Sequence, residues 1–289
     1  MVDSRGEKAL PQIQEQYFQV GPFRTRVLSA GDIQAPVLLL LHDGAWGGCS
    51  SVTWGSVMPR LAQKYRVIAP DMLGFGGTDK AVFVDRSPYE FRIDHLVALL
   101  DVLEIEEKVH VIGSSFGGSL ALQMIPQRAE RLASVVTISG TGGPWRTAFG
   151  RAELAKWDGT IDDIRRVCRL LCSERDGFDM EAHITDRFKW ASVPGHFRAM
   201  AAPAVQQPSA LPSGLKPDDS WPSVLGSHDI PVMLVAGAQD VLVEEGWTKN
   251  LEPTIRRCRA VVLQTRHSPN IDHPEETADL LADWVSSCA

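Results

Sequence analysis

A chain of 289 residues with 44% apolar, 22% charged and 7% aromatic residues is ordinary globular material, long enough for one large domain or one domain with an insertion. Collagen-like, coiled-coil and low-complexity readings are excluded. Its 36 acidic and 29 basic residues give a net charge of −7 with no basic block, so the electrostatic footprint of a nucleic-acid binder is missing.

Met1 to Lys8 carry charge where a secretory signal needs an apolar stretch, and the longest apolar run, Pro36 to Leu41, is far too short to span a membrane. The expectation is a soluble, cytoplasmic protein. Val37 to Leu41 is continuously apolar and ends at His42-Asp43-Gly44, and Arg66 to Ala69 ends at Pro70-Asp71; both have the pattern of a strand buried on two faces. Ser87-Pro88-Tyr89-Glu90 then combines a capping box with a proline at the first helical position. Ile93, Leu96, Val97, Leu100 and Leu103 follow at helical spacing. Two more buried strands are expected at Val109 to Ile112 and Ser134 to Ile138, a fifth at Pro231 to Ala236 and a sixth at Ala260 to Leu263. Strands alternating with helices predict an α/β protein with a mostly parallel, doubly wound sheet, which binds ligands at the carboxyl ends of its strands.

The alternation stops after Gly140. Residues 142–225 hold no strong strand pattern, and Thr160-Ile161-Asp162-Asp163 starts a helix on which Ile161, Ile164, Val167, Cys168 and Leu171 share one face. Prolines 203, 208, 212, 217 and 222 then predict a stiff, irregular return toward the strand at 231. The expected organisation is a core of residues 1–141 and 226–289 with a helical cap, or lid, at 142–225. Tryptophans 145, 157, 190 and 221 in the cap would form its own small core or an apolar wall over a substrate pocket. Exposed apolar residues of the lid would serve a homodimer interface or a pocket mouth. The five cysteines (49, 168, 172, 258, 288) are odd in number and scattered, as reduced thiols are. Cys168 and Cys172 with His183 lack a second ligand pair, so they read as small core residues and no metal is expected.

Gly113-Ser114-Ser115-Phe116-Gly117-Gly118 follows one buried strand and opens a helix, the context in which G-x-S-x-G carries a nucleophile; the plainer reading is a glycine-rich turn with a capping serine. A serine hydroxyl needs a base, and the base an orienting acid. In this architecture they follow in the order Ser, acid, His. Asp240 stands a short loop after the strand at 231 and His267 just after the strand at 260, both on the sheet edge of Ser115. Asp229 precedes its strand, Glu244 and Glu245 begin the next helix, and His273, the chief rival base, belongs to a helix start with Pro274, Glu275 and Glu276. An oxyanion needs two donors: the backbone N–H of Phe116 and one from the loop His42 to Gly48, where Gly44 is preferred.

Together these residues resemble the α/β-hydrolase superfamily from about residue 17 onward. Arg66 to Gly76, Gly113 to Gly118 and Leu154 to Gly195 are most similar to the meta-cleavage-product hydrolases, which cleave a carbon–carbon bond in vinylogous diketone acids formed by ring fission of catechols. The resemblance implies an α/β-hydrolase fold with a helical cap, Ser115, Asp240 and His267 as triad, Gly44 and Phe116 as oxyanion donors, and no cofactor. It also implies Arg187 as the cap arginine that meets a substrate carboxylate; the residues alone would make it a solvated helix charge. Ser114 stands where the family commonly has asparagine, Ser268 where it has tryptophan, and Asp43 where it has glycine. Ser114 and Ser268, with Trp190, are therefore expected to line a reshaped substrate pocket. The expected function is a serine hydrolase acting on a small molecule, with carbon–carbon cleavage preferred, ester or lactone hydrolysis as the alternative, and a non-catalytic ligand receptor as a third reading.

Overall fold

In the computed structural model, residues 10–84, 86–202 and 220–288 are described. Eight strands form one sheet: β1 (Gln14–Val20), β2 (Phe23–Ala30), β3 (Val37–Leu41), β4 (Arg66–Pro70), β5 (Val109–Ser114), β6 (Leu132–Ile138), β7 (Pro231–Gly237) and β8 (Arg257–Leu263). Their order across the sheet is β1-β2-β4-β3-β5-β6-β7-β8. From β4 to β8 every pairing is parallel, while β2 runs antiparallel to both β1 and β4.

The continuous apolar runs follow from two covered faces. In β3, Val37, Leu39 and Leu41 join the core on one side, packed by α3 (Glu90–Val102) and α4 (Phe116–Arg128). Leu38 and Leu40 join the core on the other, under α1 (Ser50–Trp54), α2 (Met58–Leu61) and the C-terminal helix Pro274–Ser287. All five side chains are at most 1% exposed, so a polar residue at either parity would be buried without a partner.

All six expected strands are present. The N-terminal pair β1 and β2 was not expected, and its physical reason is visible: β1 is an edge strand whose first four residues are exposed, so it carries no apolar alternation to read. The expected capping box also differs. Ser87 Oγ accepts from Tyr89 N–H at 3.2 Å, and α3 begins only at Glu90, so Ser87 and Pro88 form the turn ahead of the helix.

Between β6 and β7 the described residues include four α-helices: α5 (Ala148–Ala155), α6 (Ile161–Leu171), α7 (Met180–Ala191) and α8 (His196–Ala201). Ile164, Val167, Cys168 and Leu171 of α6 are buried as its period requires, while Ile161 in the first turn is 36% exposed. Their core cluster includes Ala45, Trp46, Leu242 and Ile271 from the segments that follow β3, β7 and β8, so these helices pack onto the carboxyl edge of the sheet. Trp157 stacks on Trp46 with ring centroids 4.9 Å apart. The expected proline-rich return falls mainly outside the described residues, which include Pro222 but not prolines 203, 208, 212 and 217. All five cysteines are free, and Cys49, Cys168 and Cys172 are buried. No helix among the described residues is long and apolar enough to cross a membrane.

Candidate active site

Ser115 sits between β5 and α4 with φ 54° and ψ −113°, a left-handed turn that an L-residue adopts only when its surroundings force it. The surroundings are three glycines with no room for a side chain. A Cβ on Gly113 would lie 2.1 Å from Gly117 O, one on Gly117 2.3 Å from Leu41 O, and one on Gly118 2.3 Å from Thr137 Oγ1. Ser115 N–H donates to Ile138 O at 2.7 Å, which fixes the turn against the next strand.

Ser115 Oγ lies 2.8 Å from His267 Nε2, and His267 Nδ1 lies 2.7 Å from Asp240 Oδ2. The three come from the carboxyl ends of β5, β8 and β7. With Asp240 ionised, Nδ1 carries the imidazole proton and donates to it, which leaves Nε2 free to accept from the serine hydroxyl. The side chains of Asp240 and His267 are 1% and 3% exposed. Burial alone would raise the Asp240 carboxyl above the usual range; His267, by charge and hydrogen bond, and Leu242 N–H hold it below. That N–H donates to Oδ1 at 2.8 Å, leaving Oδ2 for the imidazole.

Phe116 opens α4, so its N–H is one of the first-turn donors with no partner inside the helix. The loop carrying Gly44 lies against it: a Cβ on Gly44 would stand 2.7 Å from the Phe116 Cβ. A substituent at 44 would push these two backbones apart. His42, fully buried, donates from Nδ1 to Asp43 O at 2.6 Å and accepts from Met72 N–H at Nε2 at 2.9 Å. Burial lowers its pKa, and the neutral ring pins the start of the Gly44 loop rather than moving protons. His273 pairs with Asp272 at 2.9 Å, away from the serine relay.

The sequence profile of the alpha/beta hydrolase family matches residues 38–280. The chain belongs to that family. The hydrolase is 29% identical over 282 residues to 2-hydroxy-6-oxo-6-(2'-aminophenyl)hexa-2,4-dienoic acid hydrolase from Metapseudomonas resinovorans, covering 97% of this chain and 93% of that one. It is 27% identical over 262 residues to the pimeloyl-[acyl-carrier protein] methyl ester esterase of Aeromonas hydrophila, covering 87% and 96%. Among solved structures, 2-hydroxy-6-oxo-6-phenylhexa-2,4-dienoate hydrolase from Rhodococcus sp. strain RHA1 superposes with a TM-score of 0.82 at 26% identity, over 94% of this chain and 98% of that one.

The four residues expected to line the hydrolase's substrate pocket have the following partners within the chain. Arg187 is 0% exposed; Nη2 pairs with Asp43 Oδ1 and Nε donates to Trp46 O at 3.1 Å, while its buried Nη1 has no hydrogen-bond partner among the described residues. The Asp43 carboxylate takes one arm, Nη2, of the guanidinium that the resemblance assigned to a substrate, and leaves Nη1 open. Trp190 packs beneath the Arg26 guanidinium, 4.5 Å from ring centroid to carbon, and lies on a groove with Ser51, Val52 and Asp186. Ser114 is 0% exposed, and its Oγ donates to Asn270 Oδ1 at 3.2 Å; Ser268 is 0% exposed, and its backbone N–H donates to Leu171 O at 2.9 Å. Of the remaining cap tryptophans, Trp221 lays its ring against Gly142, where a Cβ would be 2.1 Å from Cζ2.

Sequence reasoning missed three residues that shape this site. Asn270 bridges Ser114 to Thr53 O, donating from Nδ2 at 2.8 Å. Asp43 entered only as a departure from glycine, with no partner assigned. His196 accepts from Gly47 N–H at 3.1 Å across 149 positions of sequence, a separation that no local pattern reveals.

Proposed function

We propose that this chain is a serine hydrolase in which Ser115 is the nucleophile, His267 the general base, Asp240 the orienting acid, and the backbone N–H groups of Gly44 and Phe116 the oxyanion donors. The hydrogen-bonded relay from Asp240 through His267 to Ser115 carries this reading. His267 Nε2 takes the hydroxyl proton as Oγ adds to a substrate carbonyl carbon, and the carbonyl oxygen becomes an oxyanion between the two donors. Collapse of that intermediate expels the leaving group, which receives the proton from Nε2; water, activated by the same imidazole, then releases the acyl group. The helices inserted between β6 and β7 act as a lid that excludes bulk water from these charges.

For the substrate we propose a small, largely apolar ring-fission diketone, cleaved at a carbon–carbon bond, on the strength of the similarity to dienoate hydrolases. His267 then also assists ketonisation of the dienol, so that the departing carbon leaves as a stabilised enolate and is protonated. A second reading, ester hydrolysis on the same residues, is favoured by one observation: Asp43 already pairs with Nη2 of the Arg187 guanidinium, which leaves a dienoate carboxylate only Nη1 there. The two separate experimentally. A carbon–carbon hydrolase bleaches a yellow ring-fission product, whereas an esterase leaves it coloured and turns over short-chain aryl esters. In either case a fluorophosphonate should label the wild type and not Ser115→Ala; an unlabelled, folded wild type rejects the nucleophile assignment.

A further inference from the structure

The loop that carries Gly44 is gripped from the lid at three points. Asp43 and Arg187, both 0% exposed, form an ion pair through Oδ1 and Nη2. Gly47 has φ +71° and lies so close to α7 that a Cβ there would be 2.2 Å from Arg187 O. Gly47 N–H donates to His196 Nε2 on α8 at 3.1 Å. On the core side Asp43 accepts from Ala45 N–H at 2.9 Å and from Thr53 Oγ1 at 2.7 Å, and Arg187 Nε donates to Trp46 O at 3.1 Å. Burial would raise the Asp43 carboxyl, but the Arg187 charge and the Thr53 hydroxyl bring it down to about 2, so the pair is ionised. Gly44 therefore stands between two residues, 43 and 45, held by one carboxylate whose counter-ion is on the lid.

We propose that Asp43 and Arg187 are positioning residues: their buried ion pair latches lid helix α7 onto the oxyanion loop and sets the direction of the Gly44 N–H. This rests on the hydrolase reading above and adds a consequence for specificity. In the latch Arg187 acts through the loop on every substrate alike; the unpartnered Nη1 is the one atom through which it would instead read a substrate carboxylate, and esters with and without a carboxylate separate the two roles. Removing either partner leaves the other charge buried and alone, and the loop rotates to relieve it. Misdirecting one oxyanion donor lowers the rate of the chemical step rather than ground-state binding.

The test compares Asp43→Asn, Arg187→Met and the double variant on two p-nitrophenyl esters, one with an acyl chain ending in a carboxylate and one ending in a methyl group. Rates are expressed per active site titrated with a fluorophosphonate, well below each variant's Tm. We expect kcat to fall between about tenfold and a hundredfold on both esters, KM to move less than threefold, and the double variant to be no worse than the poorer single one. Arg187→Lys, which keeps the charge but loses the fork, should recover part of the loss. A loss confined to the carboxylate ester overturns the latch in favour of substrate reading. Unchanged kcat per site with only a lowered Tm overturns it in favour of a purely structural pair. If Arg187→Met does not fold, Asp43→Asn, which keeps the side-chain shape, decides by the same criteria. A wild type that neither labels nor turns over either ester overturns the hydrolase reading and this role together, whereas labelled variants with full kcat overturn the latch alone.

Discussion

Asp240 does little that a neutral hydrogen-bond acceptor could not do geometrically, yet its charge decides which imidazole nitrogen carries the proton. Its Oδ1 is engaged by Leu242 N–H and its Oδ2 by His267 Nδ1, so Asp240→Asn would present either an amide N–H toward Nδ1 or an acceptor without charge. The predicted result is a kcat loss on the order of 10³–10⁴-fold with little change in fold, read by steady-state kinetics beside circular dichroism. A loss below about tenfold would remove Asp240 from the orienting role. At this scale the sequence was most informative where a residue needs a special backbone. Ser115 and its glycines stand next to one another in the chain, so the pattern is readable there, although the atoms that leave no room for a Cβ include Leu41 O and Thr137 Oγ1 from other strands. Arg187 shows the opposite case. Its counter-ion lies 144 positions away, so nothing around it in sequence distinguishes a buried partner of Asp43 from a substrate ligand or a solvated charge.

Helix α6 shows how local signals place an element within the inserted segment. Thr160 Oγ1 accepts from Asp163 N–H at 3.2 Å, and Asp158 Oδ1 accepts from both the Thr160 hydroxyl, at 2.7 Å, and its N–H, at 2.9 Å. Asp162 and Asp163 add negative charge at the positive end of the helix. Thr160→Ala should destabilise by about 1 kcal/mol and Thr160→Ser by much less, measured as urea midpoints; equal midpoints for both and the wild type would show that the cap contributes nothing. The buried strands were equally legible, because two covered faces leave no polar position. The β1–β2 hairpin was not, because an edge strand is held by backbone hydrogen bonds that any side chain permits.

The whole molecule keeps several histidines neutral. His95, His183 and His196 each have a pKa lowered to about 4, by burial first and then by the positive charge of Arg92, of Arg187, and of Lys80 with Arg187 respectively. The folded values lie below the unfolded value of 6.5, so between pH 6.5 and about 4 the unfolded chain binds protons that the fold refuses. Stability should therefore fall as pH drops through that window, by at most about 1.4 kcal/mol per pH unit for each histidine, and be insensitive to these groups above it. A urea midpoint that stays flat from pH 7.5 to 5 would contradict this. His196 joins this effect to the site, since its protonation removes the acceptor for Gly47 N–H.

The sequence by itself determined the parallel strands, the turn that strains Ser115, and the helical character of the segment after β6. The strands, the turn and the helices are marked by neighbours a few residues apart: apolar runs, a run of glycines around a serine, a cap three residues from the N–H it satisfies. The tertiary structure alone decided what the charged and polar residues around the serine do. It gave Arg187 to Asp43 and Ser114 to Asn270. A buried charge takes whatever counter-charge the fold brings within reach, and that choice is made in space, between segments far apart in the chain.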